Sequence, residues 1–145
     1  MLKVEHIGIA VKDFANAIPL FEQLLDCQCY KQEAVASENV NTAFFIQGET
    51  KIELLQSTAA GGVIDKFIER KGEGIHHIAF EVTDIRSEMN RLKNLGFRLL
   101  NDEPKAGADN KLVCFLHPAS TNSVLIELCM ERSKLPESTT LESQV

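Results

Sequence analysis

The 145-residue sequence predicts an α+β fold built from two tandem βαβββ units. Three observations predict it. Short runs with apolar residues at every second position alternate with stretches at the 3.6-residue helical spacing. The pattern then restarts: His6-Ile7, Val11 and Asp13 recur as His77-Ile78, Val82 and Asp84 at an offset of 71, and Ile52-Glu53-Leu54 recurs as Ile126-Glu127-Leu128 at 74. Finally, 44% apolar and 25% charged residues give a chain of this length one real core, while no apolar run is long enough to span a bilayer.

The elements follow in order. Val4–Val11 reads as a strand, with Ile7, Ile9 and Val11 on one face and His6, Gly8 and Ala10 on the other. Asp13 caps a helix with the stripe Phe14, Ala17, Ile18, Phe21, Leu24 and Leu25; Pro19 removes a donor inside it, so the helix is expected to bend or start late. Strands are expected near Cys27–Ala34, Thr42–Gln47 and Lys51–Gln56, the last two joined by the turn Gln47-Gly48-Glu49-Thr50. After Gly61-Gly62, a short linker helix over about 62–71 carries Val63, Ile64, Phe67 and Ile68, and Gly72 and Gly74 end it. The second unit has a strand at Ile75–Val82 and a helix capped by Asp84 and stopped by Gly96. Its remaining strands are expected at Phe97–Leu100, Lys111–Leu116 and Val124–Met130. Modules of about 1–60 and 75–131 thus form one domain, 1–131, and the Ser/Thr/Glu-rich stretch 132–145 is expected to be disordered.

A net charge of −6 repels phosphate backbones and anionic lipid, which argues against nucleic acid or membrane as partners. Glu5 and His6 interrupt the apolar stretch that an export signal needs, so the expected compartment is the cytoplasm. The four cysteines, Cys27, Cys29, Cys114 and Cys129, form no C-x-x-C pair and read as reduced core residues.

Strand parity aims one His and one Glu per unit at the face opposite the helices: His6 and Glu53, then His77 and Glu127. A pseudo-twofold between the units would gather all four. Two neutral imidazoles and two carboxylates suit a divalent ion such as Ni, Co, Mn, Fe or Zn, and leave positions on a six-coordinate ion for a substrate. Taken singly, a strand His is a core residue and a Glu between Ile and Leu an exposed edge; their recurrence with matching parity is what favours a metal site. His76 falls on the helix-packing parity and reads as structural. Glu81 shares the parity of His77 but reads as a solvated edge. His117, before Pro118, is open between a structural role and one at a pocket mouth.

The paired units resemble the vicinal oxygen chelate superfamily, which includes glyoxalase I. Three stretches are most similar to its methylmalonyl-CoA epimerase family: His6-Ile-Gly-Ile-Ala-Val11, Gly72-Glu-Gly-Ile-His-His-Ile-Ala-Phe80, and Phe115-Leu-His-Pro118 continuing to Val124-Leu-Ile-Glu-Leu128. The resemblance runs from about Val4 to Leu128. It implies a curved, cup-like mixed sheet with helices outside, and one divalent ion per chain (cobalt first, with Zn, Ni or Mn as alternatives) held by His6, Glu53, His77 and Glu127. It further implies an acyl-CoA substrate and a homodimer. The implied reaction interconverts the C2 epimers of methylmalonyl-CoA by proton abstraction and an enolate stabilised by the metal. Inversion needs a base on each face: Glu127 is assigned one and Glu53 the other, with a metal-bound water or Glu38 as alternatives. Two departures stand out. Asn41-Thr42-Ala43 lacks the third-strand carboxylate that some epimerases carry, and Ser123 replaces a usual Gly. Arg70, Lys71, Lys105 and Lys111 are candidates for steering the CoA phosphates, although each also reads as solvated surface. Glyoxalase I is the nearest alternative activity, and a metal-free small-molecule binding module of the same fold is another. An extradiol dioxygenase fits poorly.

Overall fold

A computed structural model describes residues 1–134. Eight strands form one sheet: β1 (Lys3–Ala10), β2 (Lys31–Val35), β3 (Val40–Gln47), β4 (Thr50–Ser57), β5 (Gly74–Glu81), β6 (Lys105–Ala106), β7 (Lys111–Leu116) and β8 (Ile126–Glu131). Their spatial order is β2-β3-β4-β1-β5-β8-β7-β6. β1 runs parallel to β4 and β5 parallel to β8, while β1 and β5 meet antiparallel at the centre. Ile7 pairs there with Ile78, its own counterpart in the repeat, so the pseudo-twofold passes through this pair. The sheet curls into a half-barrel. The stretch expected to be disordered from 132 opens with a 3-10 turn at Arg132–Lys134, and the rest of it lies outside the described residues.

Helices α1 (Phe14–Leu25) and α3 (Ile85–Asn94) cover the outer face, one per module. Phe14, Ile18 and Phe21 of α1 pack on Val11, Phe45 and Leu54, and Ile85, Met89 and Leu92 of α3 pack on Val82, Cys114, Leu128 and Met130. The Asp13 and Asp84 side chains accept from the backbone N–H of Asn16 (2.8 Å) and Ser87 (3.1 Å), a cap worth about 1 kcal/mol each. α1 does not start late: it begins at Phe14 and continues through Pro19, which forfeits only one ladder donor. Helix α2 (Val63–Lys71) behaves differently. Its Ile64, Phe67 and Ile68 pack on Ala10, Val40 and Leu55, so it closes one end of the inner face.

The edges depart from expectation. β2 begins at Lys31 instead of Cys27. Phe97–Leu100 contributes only an isolated bridge, Leu99 to Leu116, and the second module's edge strand is the two-residue β6. Polar, Pro- and Gly-containing residues 101–110 carry no apolar alternation, so that edge had no signature to read. Cys114 and Cys129 are buried, Cys27 and Cys29 half-buried, and all four are free thiols.

The two open edges are fastened by ion pairs that cross between modules. Lys31 Nζ lies 3.0 Å from Asp109, and Lys105 Nζ lies 2.7 Å from Glu38. Asp109 also receives Lys51 (2.5 Å), and its backbone N–H donates to Glu33 (2.8 Å). Each acid sits one residue before an asparagine in the left-handed region, Asn39 (φ 51°) and Asn110 (φ 54°). The asparagine conformation repeats between the two turns, but Asp109 is itself left-handed (φ 57°) whereas Glu38 ends a 3-10 turn over Ala36–Glu38.

Candidate metal centre

The four residues singled out by the repeat meet on the inner face, all buried. His6 Nε2 and His77 Nε2 are 3.0 Å apart. Glu127 Oε2 lies 3.1 Å from the first and 2.9 Å from the second; Glu53 Oε2 lies 3.1 and 3.6 Å from them. His6, His77 and Glu127 make a tight cluster; Glu53 stands beside it, next to both imidazoles. Two donors bound at right angles to one ion at roughly 2.1 Å would themselves lie about 3.0 Å apart, which the spacings among His6, His77 and Glu127 match, while Glu53 stands 3.6 Å from His77.

Strand register explains the convergence. Gly8 pairs with His77 and Ala79 with His6 across the β1–β5 seam. A methyl group at Gly8 would overlap the His77 ring, so glycine is what lets that imidazole lie across β1. Glu53 and Glu127 stand opposite Phe44 and Phe115 on the neighbouring strands. Each of those rings has a lysine 5.7 Å above it, Lys31 over Phe44 and Lys105 over Phe115.

The electrostatics favour positive charge at the centre. Burial alone would raise the carboxyl pKa values of Glu53 and Glu127, but hydrogen bonds and charge from His6 and His77 outweigh it and hold both at about 2. Burial favours a neutral His77 ring, yet Glu127 and Glu53 lift it to about 8; His6 is raised likewise by Glu127, Glu5 and Glu53. Two carboxylates that draw protons onto two imidazoles will accept a divalent cation in place of those protons. The donor set thus fits a nitrogen- and oxygen-liganded divalent ion.

A cavity of about 250 Å³ opens above the cluster, walled by side chains that include Val40, Phe44, Leu55, Val113, Phe115 and Leu125. Among the proposed phosphate-steering residues, Lys105 and Lys111 line it, whereas Arg70 and Lys71 do not. Lys111 is buried and bound to Glu131. Glu38 lines the cavity too, held by Lys105. Glu81 is half-buried and off the cavity, and His117 Nδ1 accepts from the Ala119 N–H, which makes it a turn cap.

Two residues break the parity argument. β1 carries a bulge at Glu5 and β5 carries one at His76, because each has one residue more than its partner at that point. Both therefore turn inward beside the histidine that follows. Glu5 is buried and contacts His6 Nδ1; His76 lines the cavity, its Nδ1 2.9 Å from His77 Nδ1. The structural reading of His76 is corrected to that extent, although its ring also packs on Phe67 of α2 at 4.9 Å. Burial, with the charge of His77, lowers His76 to about 4 and keeps it neutral. Glu5 had a signal in the sequence: it stands 71 residues before His76, the same offset as His6 and His77.

Residues 5–115 match the Glyoxalase/Bleomycin resistance protein/Dioxygenase superfamily. The uncharacterized protein YqjC of Bacillus subtilis is 37% identical over 129 residues, 89% of this chain and 92% of its own length. An ethylmalonyl-CoA/methylmalonyl-CoA epimerase of Cereibacter sphaeroides is 38% identical over 128 residues, 87% of this chain and 96% of its own. The solved structure of a Streptomyces coelicolor methylmalonyl-CoA epimerase variant, in complex with 2-nitronate-propionyl-CoA, superposes with a TM-score of 0.85 at 27% identity, covering 91% of this chain and 99% of that one.

Proposed function

Since the chain belongs to the glyoxalase/bleomycin resistance/dioxygenase superfamily, with methylmalonyl-CoA epimerases among its relatives, we propose that it is an isomerase that inverts C2 of methylmalonyl-CoA. The observation that carries this reading is the pair of buried carboxylates, Glu53 and Glu127, brought from opposite modules to the same two imidazole nitrogens. His6, His77, Glu53 and Glu127 would hold one divalent ion, cobalt first among the candidates. When bound, it supplies a Lewis acid that lowers the cost of the charge left when C2 loses its proton. Glu127, which reaches both imidazoles, takes the C2 proton on one face. Glu53, presented by the other module, returns a proton to the opposite face. Phe44, Phe115, Leu55 and Val113 keep water from the reacting carbon, which strengthens every charge interaction around it. Thr42, buried on the cavity wall, donates to the Glu33 carbonyl and supplies no acid–base group; Glu53 is the proposed second base, with Glu38, held by Lys105 on the cavity wall, as the alternative. A homodimer is the proposed assembly.

Solvent exchange at C2 tests this directly. In heavy water the wild-type protein with added cobalt(II) should incorporate deuterium at C2 of methylmalonyl-CoA. Glu127→Gln should slow that at least about 100-fold, the lower end of what one positioned base contributes. Undiminished exchange in a variant that still binds metal removes Glu127 from the role. Turnover of the methylglyoxal–glutathione hemithioacetal in preference would favour the lyase reading instead.

A further inference from the structure

The two bulged residues occupy equivalent positions and do the same geometric job with different chemistry. An imidazole that offers Nε2 to a metal must carry its proton on Nδ1, and whatever faces Nδ1 decides how firmly that tautomer is held. At His6 the partner is the Glu5 carboxylate, which can only accept. At His77 the partner is a second imidazole, His76, which can accept or donate. Glu5 is itself fixed. Its other oxygen receives Lys51 Nζ at 2.9 Å, with Lys111 Nζ at 3.7 Å, and Lys51 is anchored on Asp109 of the second module.

We infer that Glu5 is the positioning residue of the metal centre: it locks His6 with Nε2 toward the cavity and makes it the stronger of the two histidine ligands. His76 is its weaker counterpart. This rests on the reading of His6 and His77 as metal ligands, and it adds an order to them that the pseudo-twofold alone would forbid.

The test uses the full chain, stripped of metal and titrated with cobalt(II) against a competing chelator, with the cobalt absorption bands as readout. Glu5→Gln should weaken cobalt binding by about 10- to 100-fold and shift the bands, while Glu5→Asp recovers most of the loss. His76→Gln should change affinity less than about threefold. Lys51→Gln removes the ion pair but leaves the contact on His6, and should also stay within about threefold. A Glu5→Gln protein that binds cobalt within threefold of wild type overturns the inference, as does a Lys51→Gln protein weakened as much as Glu5→Gln. A second measurement needs no variant: nitrogen-labelled histidine in the zinc-loaded wild type should show His6 protonated at Nδ1. Protonation at Nε2 overturns the inference even if Glu5→Gln does not fold. Failure of the wild type to bind cobalt at all would instead overturn the metal reading, and the inference with it.

Discussion

The two modules agree where a two-fold symmetry is useful and differ where it would be harmful. His6 and His77, Glu53 and Glu127, Phe44 and Phe115 correspond in strand register, and the ion pairs across the mouth are reciprocal. By the same register Val40 of the first module corresponds to Lys111 of the second, and Thr42 to Val113; all four line the cavity. Gly8 corresponds to Ala79 and Glu5 to His76. A strictly two-fold pocket would accept an unsymmetric ligand in two equivalent orientations. Unlike walls remove that degeneracy, while the shared histidines and glutamates keep a single cluster between the modules.

Making the modules more alike should therefore be most damaging at the seam. Gly8→Ala gives β1 the residue that β5 has at Ala79, but its methyl group falls on the His77 ring. The expected outcome is loss of stoichiometric metal binding, measured by metal analysis of the purified variant. The reverse change, Ala79→Gly, removes a buried methyl without creating an overlap. It should cost on the order of 1 kcal/mol of stability and leave the metal in place.

Acidity separates the metal-free protein from the loaded one. Glu5, Glu53 and Glu127 are each held at about 2, below the ordinary 4.5. Their contribution to stability is complete above about 4.5 and is lost as pH falls toward 2. His77, raised from 6.5 to about 8, contributes fully below 6.5 and loses that contribution as pH rises through 8. His76, lowered from 6.5 to about 4, acts in the opposite sense and costs stability as pH falls below 6.5, so denaturant unfolding of the metal-free chain should show greatest stability near pH 6.5. Metal binding, which needs neutral imidazoles, should strengthen as pH rises toward 8 and release protons.

The salt-sensitive effects belong to the mouth. Asp109 receives two lysines and its backbone N–H is bound by Glu33, whereas Glu38 receives one lysine on a more exposed flank. Asp109→Asn should cost about 1–2 kcal/mol in denaturant unfolding and Glu38→Gln less than about 1 kcal/mol, both shrinking at high salt. Equal losses would show that the two clasps are as symmetric as their asparagine turns.

What the sequence determined by itself was the repeat, the helices with their aspartate caps, and the His–Glu pair that each unit aims inward. All of these follow from local periodicity and from comparing the chain with itself. Among the described residues no helix is long and apolar enough to cross a membrane. The bulges at Glu5 and His76, the two-residue edge strand β6 and the reciprocal clasp were decided only by the tertiary structure. A bulge exists only relative to the partner strand that lacks the extra residue, so alternation within one strand put His76 on the wrong face and could not place Glu5 beside His6. Gly8 is required only because His77, 69 residues away in the chain, lies across it. His6, Glu53, His77 and Glu127 were legible because each lies in a repeated strand; Glu5 and His76 beside the two imidazoles were not, because their direction is set by pairing between modules.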